Sequence, residues 1–199
     1  GHPEARRTSR ARHRVASGAR RHGLDWCAVP FPAVPPELVR AQENAAVDLV
    51  PIHPVADELA ARFAAAGHRL YLVGGSVRDA IMNREQTDLD FTTDAHPPAV
   101  LAVLEGWAEA VWDTGIAFGT VGARRRGVPV EITTFRADAY DRTSRKPVVS
   151  FGETIEADLV RRDFTVNAMA VKQTGPSPRF VDPPGGIAAL AAGTLDPPA

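Results

Sequence analysis

Tyr71-Leu-Val-Gly-Gly-Ser-Val-Arg-Asp79 is followed, eight residues on, by Asp88-Leu-Asp90. Arg69 to Val73 reads as a buried strand, and Gly74-Gly75 breaks it. Ser76 to Met82 then suits a short helix. A strand that turns through glycines into a helix lets the backbone approach a ligand closely. It also aims free amides at an anion, and Arg78 adds a permanent cation for the same anion. Gly74, Gly75, Ser76 and Arg78 are therefore candidate nucleotide-phosphate ligands. On the strand Leu89 to Thr93 and its lead-in, Asp88 and Asp90 project to one face, because strand side chains alternate. Two such carboxylates repel each other, and Mg²⁺ removes that repulsion through hard oxygen ligands. Each feature alone has a plainer reading: an ordinary turn, and a solvated acidic pair.

Two later stretches complete the set. Val130-Glu131-Ile132-Thr133-Thr134-Phe135 is an apolar strand interrupted by one acid. Beside the Asp88–Asp90 strand, Glu131 would bring a third carboxylate to the two, as a two-metal site requires. Asp158-Leu-Val-Arg-Arg-Asp-Phe-Thr-Val-Asn167 places Arg161 and Arg162 before an apolar run. Arginine clamps phosphate oxygens bidentately, and Asn167 can both donate and accept, as ribose or base recognition needs.

Working outward, Val55, Leu59, Phe63 and Ala66 recur at helical spacing up to Gly67. Pro97 to Val111 also reads as helical. Phe118 to Gly122 and Val128 to Phe135 read as strands joined at Arg124-Arg125-Arg126-Gly127. Ala157 to Arg162 suits a helix, Phe164 to Val171 and Arg179 to Val181 a strand pair, and Gly185-Gly186 the start of a small-residue helix. Asp138 to Ser150 is polar and without periodicity, a mobile-loop candidate. Residues 1–50 are crowded with arginine and then proline, and read as a mobile or partly ordered extension, first of all a solvated tail and as the alternative an arm that touches RNA phosphates. Residues 51–199 read as one catalytic domain.

The bulk numbers exclude several classes. A net charge of -1 over 199 residues rules out a polycation, so nucleic-acid contact must come from local basic clusters. One cysteine, Cys27, allows neither an internal disulfide nor a cysteine zinc site, which fits a cytoplasmic setting. No run reaches the roughly 20 apolar residues of a membrane span, and no secretory signal opens the sequence.

Leu72-Val-Gly-Gly-Ser-Val-Arg-Asp79 with Asp88-Leu-Asp90 resembles the signature of the class II CCA-adding tRNA nucleotidyltransferases and the bacterial poly(A) polymerases. Arg161-Arg-Asp-Phe-Thr-Val-Asn-Ala168 resembles their second motif, and Glu131-Ile-Thr-Thr-Phe-Arg136 the strand of their third carboxylate. The resemblance runs from about Val55 to Leu195. It implies an α/β (α+β) fold, a polymerase-β-like head with a mixed, mostly antiparallel sheet backed by helices. It implies Mg²⁺ on Asp88 and Asp90, with Glu131 as the third catalytic carboxylate. Gly75 and Arg78 would meet the triphosphate of ATP or CTP, Arg162 the nucleotide, and Arg161 and Asn167 would lie nearby. The implied reaction is in-line attack of an RNA 3′ hydroxyl, most directly that of tRNA, on the α-phosphate.

Two departures accompany the resemblance. Ala189 stands where the family's third motif often has aspartate. The family's base-selecting motif and its neck, body and tail domains do not occur in these 199 residues. Base choice and tRNA docking are therefore expected to be incomplete. Poly(A) synthesis, or binding of nucleotide and RNA without turnover, are the alternatives. Weak self-association through apolar surface left uncovered is also expected.

Overall fold

Pro54 opens the first helix of the described residues, where its fixed φ is already helical and its missing N–H costs nothing. The computed structural model describes residues 53–137 and 150–198. In helix α1 (Pro54–Ala65) the imidazole Nδ1 of His53 caps the end by accepting from the Val55 amide at 3.2 Å. Val55, Leu59 and Phe63 share one stripe and are fully buried, as their spacing predicts. Gly67, at φ +79°, turns the chain into the sheet.

Seven strands form the main sheet: β1 (Leu70–Val73), β2 (Leu89–Thr93), β3 (Ala110–Trp112), β4 (Thr120–Arg125), β5 (Val128–Thr134), β8 (Ala170–Lys172) and β9 (Arg179–Val181). Their spatial order is β3-β4-β5-β2-β1-β8-β9. The β2–β5 pair is parallel and the other neighbours are antiparallel. The mixed, mostly antiparallel sheet that the resemblance implies is therefore present. A second ladder joins β6 (Arg136–Ala137) to β7 (Ser150–Phe151). The remaining α-helices among the described residues are α2 (Gly75–Ile81), α3 (Pro97–Leu104), α4 (Ile155–Val160) and α5 (Gly186–Ala192).

Strand alternation gives the sheet two different faces. Leu70, Leu72, Leu89, Phe91, Val121, Val130 and Ile132 belong to one core with Phe63 of α1 and Val100 and Leu104 of α3. On the other face, Tyr71, Val73 and Ala170 pack with Phe135 and with Ile155 and Leu159 of α4. Next to this smaller apolar cluster the second face carries Asp90, Glu131 and Thr133, and here the candidate site lies.

Two elements differ from the sequence reading. The run expected to be helical from Pro97 to Val111 stops at Leu104, because Glu105 is extended (ψ 129°) and Gly106 adopts φ +70°. The released chain makes edge strand β3, so Val111 and Trp112 are strand residues. The strand expected from Phe164 is a 3₁₀ turn over Thr165–Asn167 before β8 begins at Ala170. Helix α5 presses on this turn. A Cβ at Gly186 would sit 2.4 Å from the Thr165 carbonyl oxygen and 2.6 Å from Met169 Cγ. Gly186→Ala is expected to cost about 2 kcal/mol by overpacking, lowering Tm by about 4–8 °C. A thermal melt followed by circular dichroism checks this. The expected extension over residues 1–50 and most of the expected loop, residues 138–149, lie outside the described residues.

Candidate active site

The parallel register of β2 and β5 sets Asp90 directly beside Glu131, and Thr92 beside Thr133. On the other side of β5, Glu131 faces Gly122 of β4. The sheet thus brings two of the three expected carboxylates together across one ladder step, about 4.8 Å between strands. Asp88 lies in the lead-in to β2. It is exposed, and its Oδ1 accepts a hydrogen bond from Thr87 Oγ1 at 3.2 Å. Among the described residues, no three acidic, histidine or cysteine side chains are gathered into a metal-holding cluster. The expected three-acid convergence is thus an Asp90–Glu131 pair with Asp88 at its edge.

Asp90 carries the electrostatic stress of this arrangement. Burial pushes its carboxyl up to about 6, and the negative charges of Asp88 and Glu131 add to the rise, while Arg162 opposes it. Ser76 holds the strand in place. Its Oγ accepts from the Asp90 amide at 2.9 Å and donates to the Asp88 carbonyl at 3.4 Å. Ser76 is buried, so its hydroxyl braces the carboxylate strand; it does not line the cavity described next.

Opposite the carboxylates stands a group of arginines built around one buried acid. Thr154 Oγ1 caps α4 by accepting from the Ala157 amide at 3.3 Å. This sets Asp158 facing inward at 1% exposure. Asp158 Oδ1 accepts the Arg136 amide at 3.0 Å, and Oδ2 accepts Arg162 Nη2 at 3.0 Å. Arg161 Nη1 lies 3.9 Å from Oδ1. Arg136 reaches on through Nη2 to Thr120 Oγ1 at 3.0 Å. Nε of Arg136 and of Arg162 is buried without a hydrogen-bond partner. Burial and the neighbouring Arg161 charge both push the Arg136 pKa down. A buried guanidinium N–H without an acceptor is costly.

A cavity of about 280 Å³ separates the two groups, lined by Asp90 and Glu131 on one side and Arg136, Arg161 and Arg162 on the other. This combination suits a phosphate chain, with guanidinium forks for its oxygens and carboxylates where a hard cation would sit.

The other expected ligands stand apart from that cavity. Gly74 adopts φ +67°, and a Cβ there would lie 3.2 Å from Arg162 Nη1, so a glycine lets the arginine come close. Gly75 begins α2 beside the Arg78 guanidinium. Arg78 is held by Asp79 at 2.9 and 3.1 Å, and donates from Nη1 to Asn167 Oδ1 at 2.7 Å. Arg78 and Asn167 line a separate apolar groove with Phe164, Leu190 and Leu195. The site also holds Asp158 and Arg136, which are not among the ligands expected from the sequence. For Asp158 a signal existed: Asp158, Arg161 and Arg162 stand at i, i+3 and i+4, one face of a helical turn.

The model of the poly A polymerase head domain matches residues 70–196. The chain belongs to this family. Within the head domain, the match takes in the glycine turn, both carboxylate strands and the arginine group around Asp158. A CCA-adding enzyme of Anoxybacillus flavithermus is 42% identical over 125 residues, which is 62% of this chain and 30% of that protein. The crystal structure of the Bacillus stearothermophilus CCA-adding enzyme in complex with CTP superposes with TM-score 0.61 at 32% identity, over 73% of this chain and 34% of that one. A tRNA-processing enzyme in an apo form superposes with TM-score 0.58 at 27% identity, over 73% of this chain and 37% of that one. The chain therefore matches about a third of the length of these relatives.

Proposed function

We propose that this head domain transfers nucleotides from CTP or ATP to an RNA 3′ end, and that its RNA is tRNA receiving its CCA terminus. The observation that carries the reading is the Asp90–Glu131 pair sharing one cavity with Arg136, Arg161 and Arg162. The names of the relatives support the choice of reaction: two are CCA-adding enzymes, one of them bound to CTP, and a third is a tRNA-processing enzyme. A cytoplasmic setting goes with this reading. Among the described residues no helix is long and apolar enough to cross a membrane.

The donor set fits Mg²⁺. The ion takes oxygen ligands and is commonly held by one or two carboxylates plus substrate phosphates, without an all-protein cage. Asp90 with Asp88 would hold it and Glu131 would complete the carboxylate set; the crowding of negative charge that raises the Asp90 pKa is what a divalent cation relieves. When bound, Mg²⁺ supplies charge neutralisation at the phosphates and acidifies a hydroxyl near it. The protein's own groups do the positioning. Arg136, Arg161 and Arg162 line the cavity and bring guanidinium charge to phosphate oxygens bound there. Asp158 fixes the spacing of the guanidinium groups. Gly74, Gly75, Ser76, Arg78 and Asn167 form the turn and its support, with Ser76 holding the carboxylate strand in register.

Poly(A) synthesis is the second reading, favoured by the family whose model the chain matches. Product sizing separates the two. With tRNA lacking its 3′ end, Mg²⁺ and both nucleotides, CCA addition stops at three added residues, whereas poly(A) synthesis with ATP gives a ladder. Binding without turnover gives no extension while nucleotide still binds.

The groove of about 430 Å³ beside Arg78 leaves Phe164 37% and Leu195 69% exposed. Apolar surface of this kind associates weakly. Sedimentation velocity is expected to show an average mass that rises with concentration; a constant monomer mass up to high concentration would contradict it.

A further inference from the structure

We infer that Trp112 is the seat on which the terminal base of the RNA 3′ strand stacks. This rests on the proposed transfer to an RNA end. The register places four residues in one row across the second face: Trp112 beside Gly122, Gly122 beside Glu131, and Glu131 beside Asp90. Trp112 is thus two strands from Glu131, roughly 10 Å at 4.8 Å per strand. The residue between them has no side chain, and the indole lies over it. A Cβ on Gly122 would fall 1.8 Å from the indole Nε1. Glycine at this position lets the ring lie across β4 toward the carboxylates.

The indole also borders a space of about 340 Å³, with Phe118 and Gly122 among its walls. Thr120, Glu131 and Arg136 line both this space and the arginine-lined cavity. The two are therefore neighbouring chambers that meet at Glu131. Their chemistry divides the substrates. The arginine side suits a polyanionic triphosphate. The aromatic side offers a π-face to an uncharged base, and bases of any identity stack on such faces. Trp112 is 36% exposed and Phe118 54% exposed, so the platform is open to a strand arriving from solvent.

The test uses the full chain with a fluorescein-labelled single-stranded RNA octamer, read by anisotropy, and Mg²⁺ with CTP or ATP, read by calorimetry. Trp112→Ala is expected to weaken RNA binding about tenfold, the loss of one stacked base, and to leave nucleotide binding unchanged. Trp112→Phe is expected to keep most of the RNA affinity. RNA is also expected to quench tryptophan emission in the native chain and far less in Trp112→Phe, which retains Trp26 and Trp107; this readout persists if Trp112→Ala folds poorly. Equal RNA affinity for native and Trp112→Ala, with no difference in quenching, overturns the assignment. Loss of nucleotide affinity with RNA affinity intact also overturns it, and gives the chamber to the incoming base. Failure of the native chain to bind either RNA or nucleotide overturns the proposed transfer reading itself, and the stacking seat with it.

Discussion

Asp90→Asn is expected to melt higher than the native chain at pH 7.5 while losing nucleotidyl transfer by about 10³-fold or more. Both effects have one cause. The Asp90 carboxyl is buried beside two other acids, and its pKa stands near 6, above its ordinary value of 3.8. The folded state thus holds a proton that the unfolded chain would release. Above pH 6 the carboxylate is ionised in both states, and the fold carries the full cost of burying that charge. Between pH 6 and about 4 the folded state takes up the proton first, so the cost fades, and below 4 it is gone. Asparagine removes the charge at every pH. A shift of this size, discounted for partial exposure and screening, is worth about 1–2 kcal/mol, or about 3–6 °C in Tm. The advantage of the variant should shrink as pH falls from 7 to 4, and melts across that range without divalent ions measure it. Mg²⁺ should erase part of the difference by stabilising the native chain alone. A variant no more stable than the native chain at pH 7.5 would contradict the electrostatic account of the pair.

Asp158→Ala has the largest expected effect on stability. The carboxylate is 1% exposed and bonds the backbone of Arg136 and the side chain of Arg162, with Arg161 close by. Its removal leaves buried guanidinium charge without its anion, a change that costs about 3–5 kcal/mol, or roughly 10 °C in Tm. Asp158→Asn keeps an acceptor for the Arg136 amide and should lose less. If these arginines face a phosphate site, inorganic pyrophosphate should recover part of the lost Tm in Asp158→Ala, since it supplies acceptor oxygens to the same groups. An unchanged melting temperature would mean that the arginines find acceptors elsewhere.

What the sequence makes legible here is local. The glycine turn and the Asp88–Asp90 spacing lie within one strand-turn-helix unit, and each follows from side-chain alternation and glycine stereochemistry. The face on which Glu131 projects is also readable, because Val130 and Ile132 flank it as core residues. That Glu131 meets Asp90 is a matter of parallel register between strands 41 residues apart in sequence, which local pattern does not encode. The Arg78–Asn167 bond spans 89 positions, a pairing that local pattern does not encode. For Asp158 only the i, i+3, i+4 relation to its two arginines is legible; its bond to the Arg136 amide depends on β6, an element whose pairing with β7 is itself non-local. Strand β3 and its Trp112 are not legible, because helical spacing runs on to Val111 in sequence while the helix ends in the fold at Leu104. The resemblance supplied the fold class that these local signals could not.

The central claim is that the Asp90 carboxylate site performs nucleotidyl transfer. The most direct measurement is incorporation of radiolabelled CTP or ATP into tRNA lacking its 3′ end, in Mg²⁺, by the native chain, Asp88→Ala and Asp90→Ala. The account predicts labelled tRNA with the native chain and none above background with either variant. Equal incorporation by all three would place the chemistry elsewhere and contradict it.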